Sequence, residues 1–187
     1  MAILALDTFP LGKKIPSFSL PDVLHEEKRT PQQMIESFSK GLLVIFLCQH
    51  CPYVQHFKKK LIQLAHEFTA KGLGFLGICS NDPVTYPQDA PHALKEMVEQ
   101  DQIPFPILFD ETQEVAKAFF ATCTPDFFLF NQELLLVYHG RFDASTPKNG
   151  IPVTGNDLHA ALEAVVRGTS PQEPFSNSLG CSIKWKS

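Results

Sequence analysis

The sequence lacks most of the features that announce a macromolecular partner. It has no block of one charge: 16 Lys and Arg stand against 20 Asp and Glu, a net charge of −4. No basic stripe marks a nucleic-acid surface, and the one basic cluster, Lys58-Lys59-Lys60, falls inside a helical periodicity as its wet face. There is no long hydrophobic run. The longest, residues 42–48, is far too short to span a bilayer. The start, Met1-Ala2-Ile3-Leu4-Ala5-Leu6-Asp7, lacks the basic n-region of a secretory signal, so the expected location is the cytosol, with neither membrane nor nucleic acid as partner. Internal repeats and low-complexity tracts are absent. Cysteine is sparse and odd in number, five in 187 residues, which argues against a secreted disulfide framework. In a cytosolic chain, one close pair of cysteines points instead to redox chemistry or metal binding.

What the sequence does hold is apolar bulk, 44% hydrophobic residues with 16 Phe. That is enough for one medium-sized domain over residues 1–187 with an aromatic core. Residues 1–30, punctuated by Pro10, Pro16 and Pro21, read as an irregular or hairpin-like extension, and Thr30-Pro31 opens a short helix to about residue 38. Residues 42–47 form an unbroken apolar run, expected to be a strand buried on both faces and central in its sheet. From 52 to 71, Val54, Phe57, Leu61, Leu64, Ala65 and Phe68 recur at helical spacing, with Gly72 placed for a left-handed C-terminal cap. A second buried strand at 73–79 completes a strand–helix–strand unit, so these two strands are expected to be parallel.

Further on, the spacing predicts a helix over 90–101, an edge strand at 106–109 and a short helix over 112–120. It then predicts strands at 126–130 and 134–138 joined by Asn131-Gln132-Glu133. A last helix is expected to open on Thr154-Gly155-Asn156-Asp157, read as a capping box, and to end at Gly168. Residues 169–187 read as a polar tail.

The chemistry centres on Cys48-Gln49-His50-Cys51. The pair directly follows the predicted central strand and opens the long helix, the setting in which C-x-x-C works as a redox motif. Unpaired N–H groups and the helix dipole at that position favour thiolate over thiol. The N-terminal thiol, Cys48, is therefore expected to be the more acidic and the nucleophile, with Cys51 resolving the mixed disulfide. His50, beside Cys51, can support the Cys48 thiolate, and with Gln49 it sets the poise. A stabilised thiolate makes the couple more oxidising than a Gly-Pro-spaced pair. The plainer alternatives are two small buried residues or part of a zinc site, although zinc usually needs a second close pair and Cys79, Cys123 and Cys181 supply none. An internal disulfide centre needs no organic cofactor, and none is expected.

These residues, taken with four later segments, carry a family resemblance. Cys48-Gln49-His50-Cys51-Pro52-Tyr53-Val54, Asp110-Glu111-Thr112-Gln113-Glu114-Val115-Ala116, Cys123-Thr124-Pro125-Asp126-Phe127-Phe128-Leu129-Phe130, Gly140-Arg141-Phe142-Asp143 and Gly180-Cys181-Ser182-Ile183-Lys184-Trp185 resemble the bacterial peroxiredoxin-like group of the thioredoxin-like superfamily, the AhpC/TSA class. The resemblance implies an α/β thioredoxin fold, a central mixed β-sheet flanked by helices, with an N-terminal extension and an insertion of peroxiredoxin type. It also implies that Thr124-Pro125 is the cis-proline facing the dithiol, its backbone free to pair with an extended substrate.

Two departures stand out. Aligned on Cys51, the peroxidatic pattern P-x-x-x-[TS]-x-x-C meets Val44 and Cys48. The buried Asp and the Trp of thioredoxin are replaced by Leu42 and Leu47. Three readings follow: a thiol–disulfide oxidoreductase acting on a protein or small-molecule thiol or disulfide, an atypical thiol peroxidase, and a non-enzymatic Cu(I) or zinc module. Secondary candidates are Cys123 (a third redox thiol, a ligand or a buried small residue), Cys181 (a resolving or docking thiol, or surface tail) and the 81–89 loop, which either lines the site or forms a cap and a turn. Cys79 reads as core. Arg141 and Asp143 read as an ion pair or turn.

Overall fold

Gly41–Phe46 carries no polar side chain and is entirely buried, which only a strand covered on both faces allows. In the computed structural model, which describes residues 2–4 and 9–186, this strand (β4) is the centre of a five-stranded sheet whose strands lie in the order 107–109, 73–79, 41–46, 126–131, 136–140. Alternation along it divides the core. Leu43 and Ile45 face one hydrophobic cluster, and Leu42, Val44 and Phe46 face the other.

Helix α2 (Pro52–Thr69) follows β4 and buries the predicted stripe from Val54 to Phe68. Gly72, at φ +88°, closes its end. Strand β5 (Leu73–Cys79) then returns parallel to β4, with Gly41 opposite Leu73 and Phe46 opposite Ile78. Helix α3 (Pro91–Asp101) and edge strand β6 (Ile107–Phe109), parallel to β5, come next. Strand β8 (Asp126–Asn131) lies antiparallel on the other side of β4 and pairs with β9 (Leu136–Gly140). Helices α2, α3 and α5 (Asn156–Val166) cover one face of the sheet. Helices α1 (Pro31–Ser37) and α4 (Glu114–Ala118) cover the other, together with Phe9 and Phe18 of the N-terminal extension. Outside the main sheet, β2 (Leu20–Pro21) pairs with β3 (Lys28–Arg29). A small second sheet has the order β1-β10-β7, from Ala2–Leu4, Leu179–Ser182 and Cys123–Thr124.

Several expectations need correction. The capping box at Thr154 does not form. Helix α5 starts at Asn156 behind Gly155 at φ +71°, and the amides of Thr154 and Gly155 instead donate to Asp143 Oδ2 at 2.7 Å each. The Asn156 amide still donates to Thr154 Oγ1 at 3.3 Å, so a tertiary carboxylate fixes the approach to the helix while the Thr154 side chain meets its first amide. Arg141 and Asp143 do form an ion pair and a turn as expected, Arg141 with Asp157 and Asp143 Oδ1 accepting the Ser145 amide. The return strand β9 begins two residues later than periodicity suggests. Asn131 Oδ1 accepts from the amides of Glu133 and Leu135, and Leu134 turns left-handed, so the turn is longer. Helix α4 covers only part of 112–120, because Gln113 and Phe120 both have positive φ. The expected polar tail is in part a strand, β10. Among the described residues no helix is long and apolar enough to cross a membrane.

Candidate active site

Cys48 leaves the end of β4, and Cys51 is the N-cap of α2, with Pro52 in the first helical position. The turn between them is held by Asp89, the last residue of the 81–89 loop. Asp89 is completely buried. Its Oδ1 accepts the Gln49 amide at 2.9 Å and the His50 amide at 3.3 Å. Its Oδ2 meets His50 Nδ1 at 2.5 Å and accepts from Asn81 Nδ2 at 2.7 Å. The His50 ring is stacked on Tyr86, centroids 5.4 Å apart. The 81–89 loop therefore does line the site. The only signal for Asp89 was its place, after the strand that neighbours the dithiol strand at the end where α/β sites form.

Thr124 closes the site from the far side, and the Thr124-Pro125 bond is cis. The Thr124 hydroxyl lies 3.4 Å from Cys48 Sγ, and the Thr124 carbonyl accepts from Cys51 Sγ at 3.1 Å. The edge of this segment is not open to a substrate strand, contrary to expectation. Strand β10 fills it, with Cys181 opposite Thr124 and Ser182 opposite Cys123. A Cβ at Gly180 would lie 2.0 Å from the Thr124 carbonyl oxygen, so glycine alone permits this approach. Both sulfurs are enclosed in consequence, Cys48 at 1% and Cys51 at 0% exposure, while Cys181 is half-buried. A cleft of about 480 Å³ opens beside Pro125, between Phe57, Phe142 and Phe175, and reaches Leu179 of β10.

The two thiols are shifted in opposite directions. Cys51 is drawn down to about 5 by the Cys48 S–H that donates to it, then by Thr124, the Val54 amide in the first helical turn and Cys181. Cys48 moves far up, because its S–H is hydrogen-bonded to Cys51, it is buried, and it faces the Asp89 carboxylate. Cys51 is thus the thiol drawn down and Cys48 the one pushed up, the reverse of the order expected for the N-terminal thiol. The Cys48 position looks at a carboxylate, whereas Cys51 has the helix N–H.

Cys123 is fully buried with its thiol toward the Pro125 carbonyl at 3.8 Å, and burial pushes it up. Cys79 is likewise core, pushed up by burial. A buried carboxylate does exist near Cys123, Asp126, which pairs with His139 at 2.9 Å. The donor atoms of Cys48, His50 and Asp89 lie within 4.8 Å of one another. Both Asp89 oxygens, however, are already committed to four donors, so this set is built to position a turn rather than to hold a metal.

Residues 11–139 match the AhpC/TSA family, while no curated protein matches the chain. Among solved structures, the chain is similar to an uncharacterized conserved protein from Geobacillus kaustophilus, at 44% identity and TM-score 0.95 over 100% of this chain and 97% of that one. It is also similar to a hypothetical protein from Sinorhizobium meliloti, at 38% identity and TM-score 0.92 over 97% of each. A peroxidoxin from Mycobacterium tuberculosis shares the fold at 15% identity, TM-score 0.62, over 84% of this chain and 96% of that one. With a family match from residue 11 to 139, over half of its length, on a five-stranded mixed sheet, the chain belongs to the AhpC/TSA family.

Proposed function

We propose that this protein is a thiol–disulfide oxidoreductase in which Cys48 attacks a substrate disulfide and Cys51 resolves the mixed disulfide. The observation that carries the reading is geometric: at the start of α2 both sulfurs meet the same residue, Cys48 Sγ lying 3.4 Å from the Thr124 hydroxyl and Cys51 Sγ 3.1 Å from the Thr124 carbonyl, and the Cys51 thiol is drawn below its ordinary value. Transfer of the Cys48 proton to Cys51 across their contact leaves a Cys48 thiolate beside the Thr124 hydroxyl, while the Cys51 S–H turns to the Thr124 carbonyl. The Cys48 thiolate attacks R–S–S–R′ and releases R–S⁻. Cys51 gives up its proton, which leaves on the departing thiol, and attacks Cys48 Sγ, expelling R′–S⁻. The net change is one substrate disulfide reduced to one thiol and one thiolate, the latter protonated by water, and one Cys48–Cys51 disulfide formed. His50, held by Asp89 and Tyr86, and Thr124 position these atoms. AhpC/TSA membership and the thioredoxin-like fold support redox chemistry on thiol or peroxide substrates.

Reduction of insulin by dithiothreitol tests the reading. Catalysis is expected from the parent and is lost in both Cys48→Ser and Cys51→Ser; activity retained in both variants refutes it. One observation favours a second reading, thiol peroxidase. In an AhpC/TSA chain the thiol drawn down is Cys51, the residue that aligns with a peroxidatic cysteine. Hydrogen peroxide consumption that survives Cys48→Ser, with a sulfenic acid on Cys51, would favour it over disulfide exchange.

A further inference from the structure

The proposed exchange leaves a question of access, since both of its sulfurs are enclosed while partner thiols come from solvent. The half-buried thiol of the site is Cys181, on β10. Its position is specified several times over. It stands opposite Thr124 in an antiparallel register, so their side chains share one face of the ladder, the face on which the Thr124 hydroxyl meets Cys48. Cys181 packs against the cluster that contains Cys48 and Cys51. Gly180 admits the close approach to the Thr124 carbonyl. Beyond the strand, the Ile183 amide donates to the Thr122 carbonyl at 3.0 Å, and the Lys184 amide donates to Asn81 Oδ1 at 2.8 Å. Asn81 is the residue whose Nδ2 holds Asp89, so one side chain ties the C-terminal strand to the dithiol turn.

We propose that Cys181 is a third redox thiol of this site, which relays the disulfide from the enclosed Cys48–Cys51 pair outward by forming a Cys51–Cys181 bond. The inference rests on the dithiol reading above. Starting from the Cys48–Cys51 disulfide left by reduction of a substrate disulfide, Cys181 loses its proton and its thiolate attacks Cys51 Sγ. The Cys51–Cys181 bond forms as the Cys48–Cys51 bond breaks, and Cys48 leaves as a thiolate that takes up the proton Cys181 gave. No electrons enter or leave. A low-molecular-weight thiol then attacks the half-exposed Cys181 sulfur and expels the Cys51 thiolate, a good leaving group because it is the stabilised anion of the site. In the reduced protein, burial and the neighbouring Cys51 keep Cys181 protonated, pushed up to about 11. Once Cys51 enters a disulfide its charge is gone, and Lys184 still favours the Cys181 thiolate.

The test uses the full chain, with diamide as a two-electron thiol oxidant and peptide mapping without reductant. The parent is expected to give the Cys48–Cys51 bond, and Cys48→Ser an intramolecular Cys51–Cys181 bond. Absence of Cys48–Cys51 in the parent overturns the dithiol reading itself. Its presence, with no Cys51–Cys181 bond in Cys48→Ser, overturns the relay alone. Cys181→Ser supplies the second measurement. Its Cys48–Cys51 disulfide forms as in the parent, and its reduction by glutathione slows by about tenfold. An unchanged rate overturns the relay even where the bond can form.

Discussion

A fully buried carboxylate must find donors for both oxygens, and Asp89 finds four, three of them on Gln49 and His50. The turn between the two cysteines therefore takes its shape from a residue outside the motif. Asp89→Ala orphans the Gln49 and His50 amides at a cost of about 1–3 kcal/mol for each left without an acceptor; urea denaturation measures it, and a variant as stable as the parent would mean that water replaces the carboxylate. The depressed Cys51 thiol has its own signature. Because the Cys51 pKa is depressed in the folded, reduced protein, the stability it contributes is complete above the ordinary thiol value of 9.0 and is lost as pH falls through about 5. The disulfide form has no such thiol, so the stability of the reduced protein relative to the oxidised one shrinks over that window on acidification. Thermal denaturation of both forms across pH is the check. Cys48→Ala removes the S–H that most strongly holds Cys51 down, and the ultraviolet thiolate transition is expected to move from about 5 toward 9.0. A reduced state favoured in this way also places the midpoint potential above roughly −270 mV; equilibration with glutathione at or below that value would contradict the poise argued from the motif.

The elements that carry the dithiol were legible because their patterns are local. An unbroken apolar run such as 42–47 has few places to go but the middle of a sheet, and the stripe from Val54 to Phe68 fits a single helix face. What was illegible depends on partners distant in sequence. The amides of Thr154 and Gly155 belong to Asp143, and the dithiol turn belongs to Asp89. Strand β10 has only four residues, three of them partly buried and one buried with no alternation, and its neighbour β7 has two, so no periodicity could announce that it seals the cis-proline edge. That seal has a measurable consequence. In Gly180→Ala the new methyl would meet the Thr124 carbonyl oxygen at 2.0 Å, and the strand has to retreat. Alkylation of Cys48 and Cys51 by a maleimide is expected to accelerate by about tenfold through this local opening, with a change in the fluorescence of Trp185, the single tryptophan. Unchanged labelling would mean that something other than β10 encloses the sulfurs.

On the scale of the molecule, the sheet separates two cores with different duties. The face carrying α2 holds the dithiol. The opposite face holds an aromatic knot around Phe119, whose ring lies 5.2–6.1 Å from those of Phe46, Phe128, Phe9, Phe130 and Phe18. Phe9 and Phe18 belong to the N-terminal extension, so the knot also fastens that segment to the sheet. Phe119 is fully buried, and Phe119→Ala is expected to cost about 3–5 kcal/mol, a large part of the ~5–15 kcal/mol that holds a typical domain together. The cavity opens on the far side of β4 from Cys51, and interactions between such separated sites are close to additive. The variant is therefore expected to unfold at much lower urea while its folded molecules keep the thiolate transition near about 5. A shift of that transition toward 9.0 in folded Phe119→Ala would show that the aromatic knot presses on the dithiol through β4, and that the two faces of the sheet act as one.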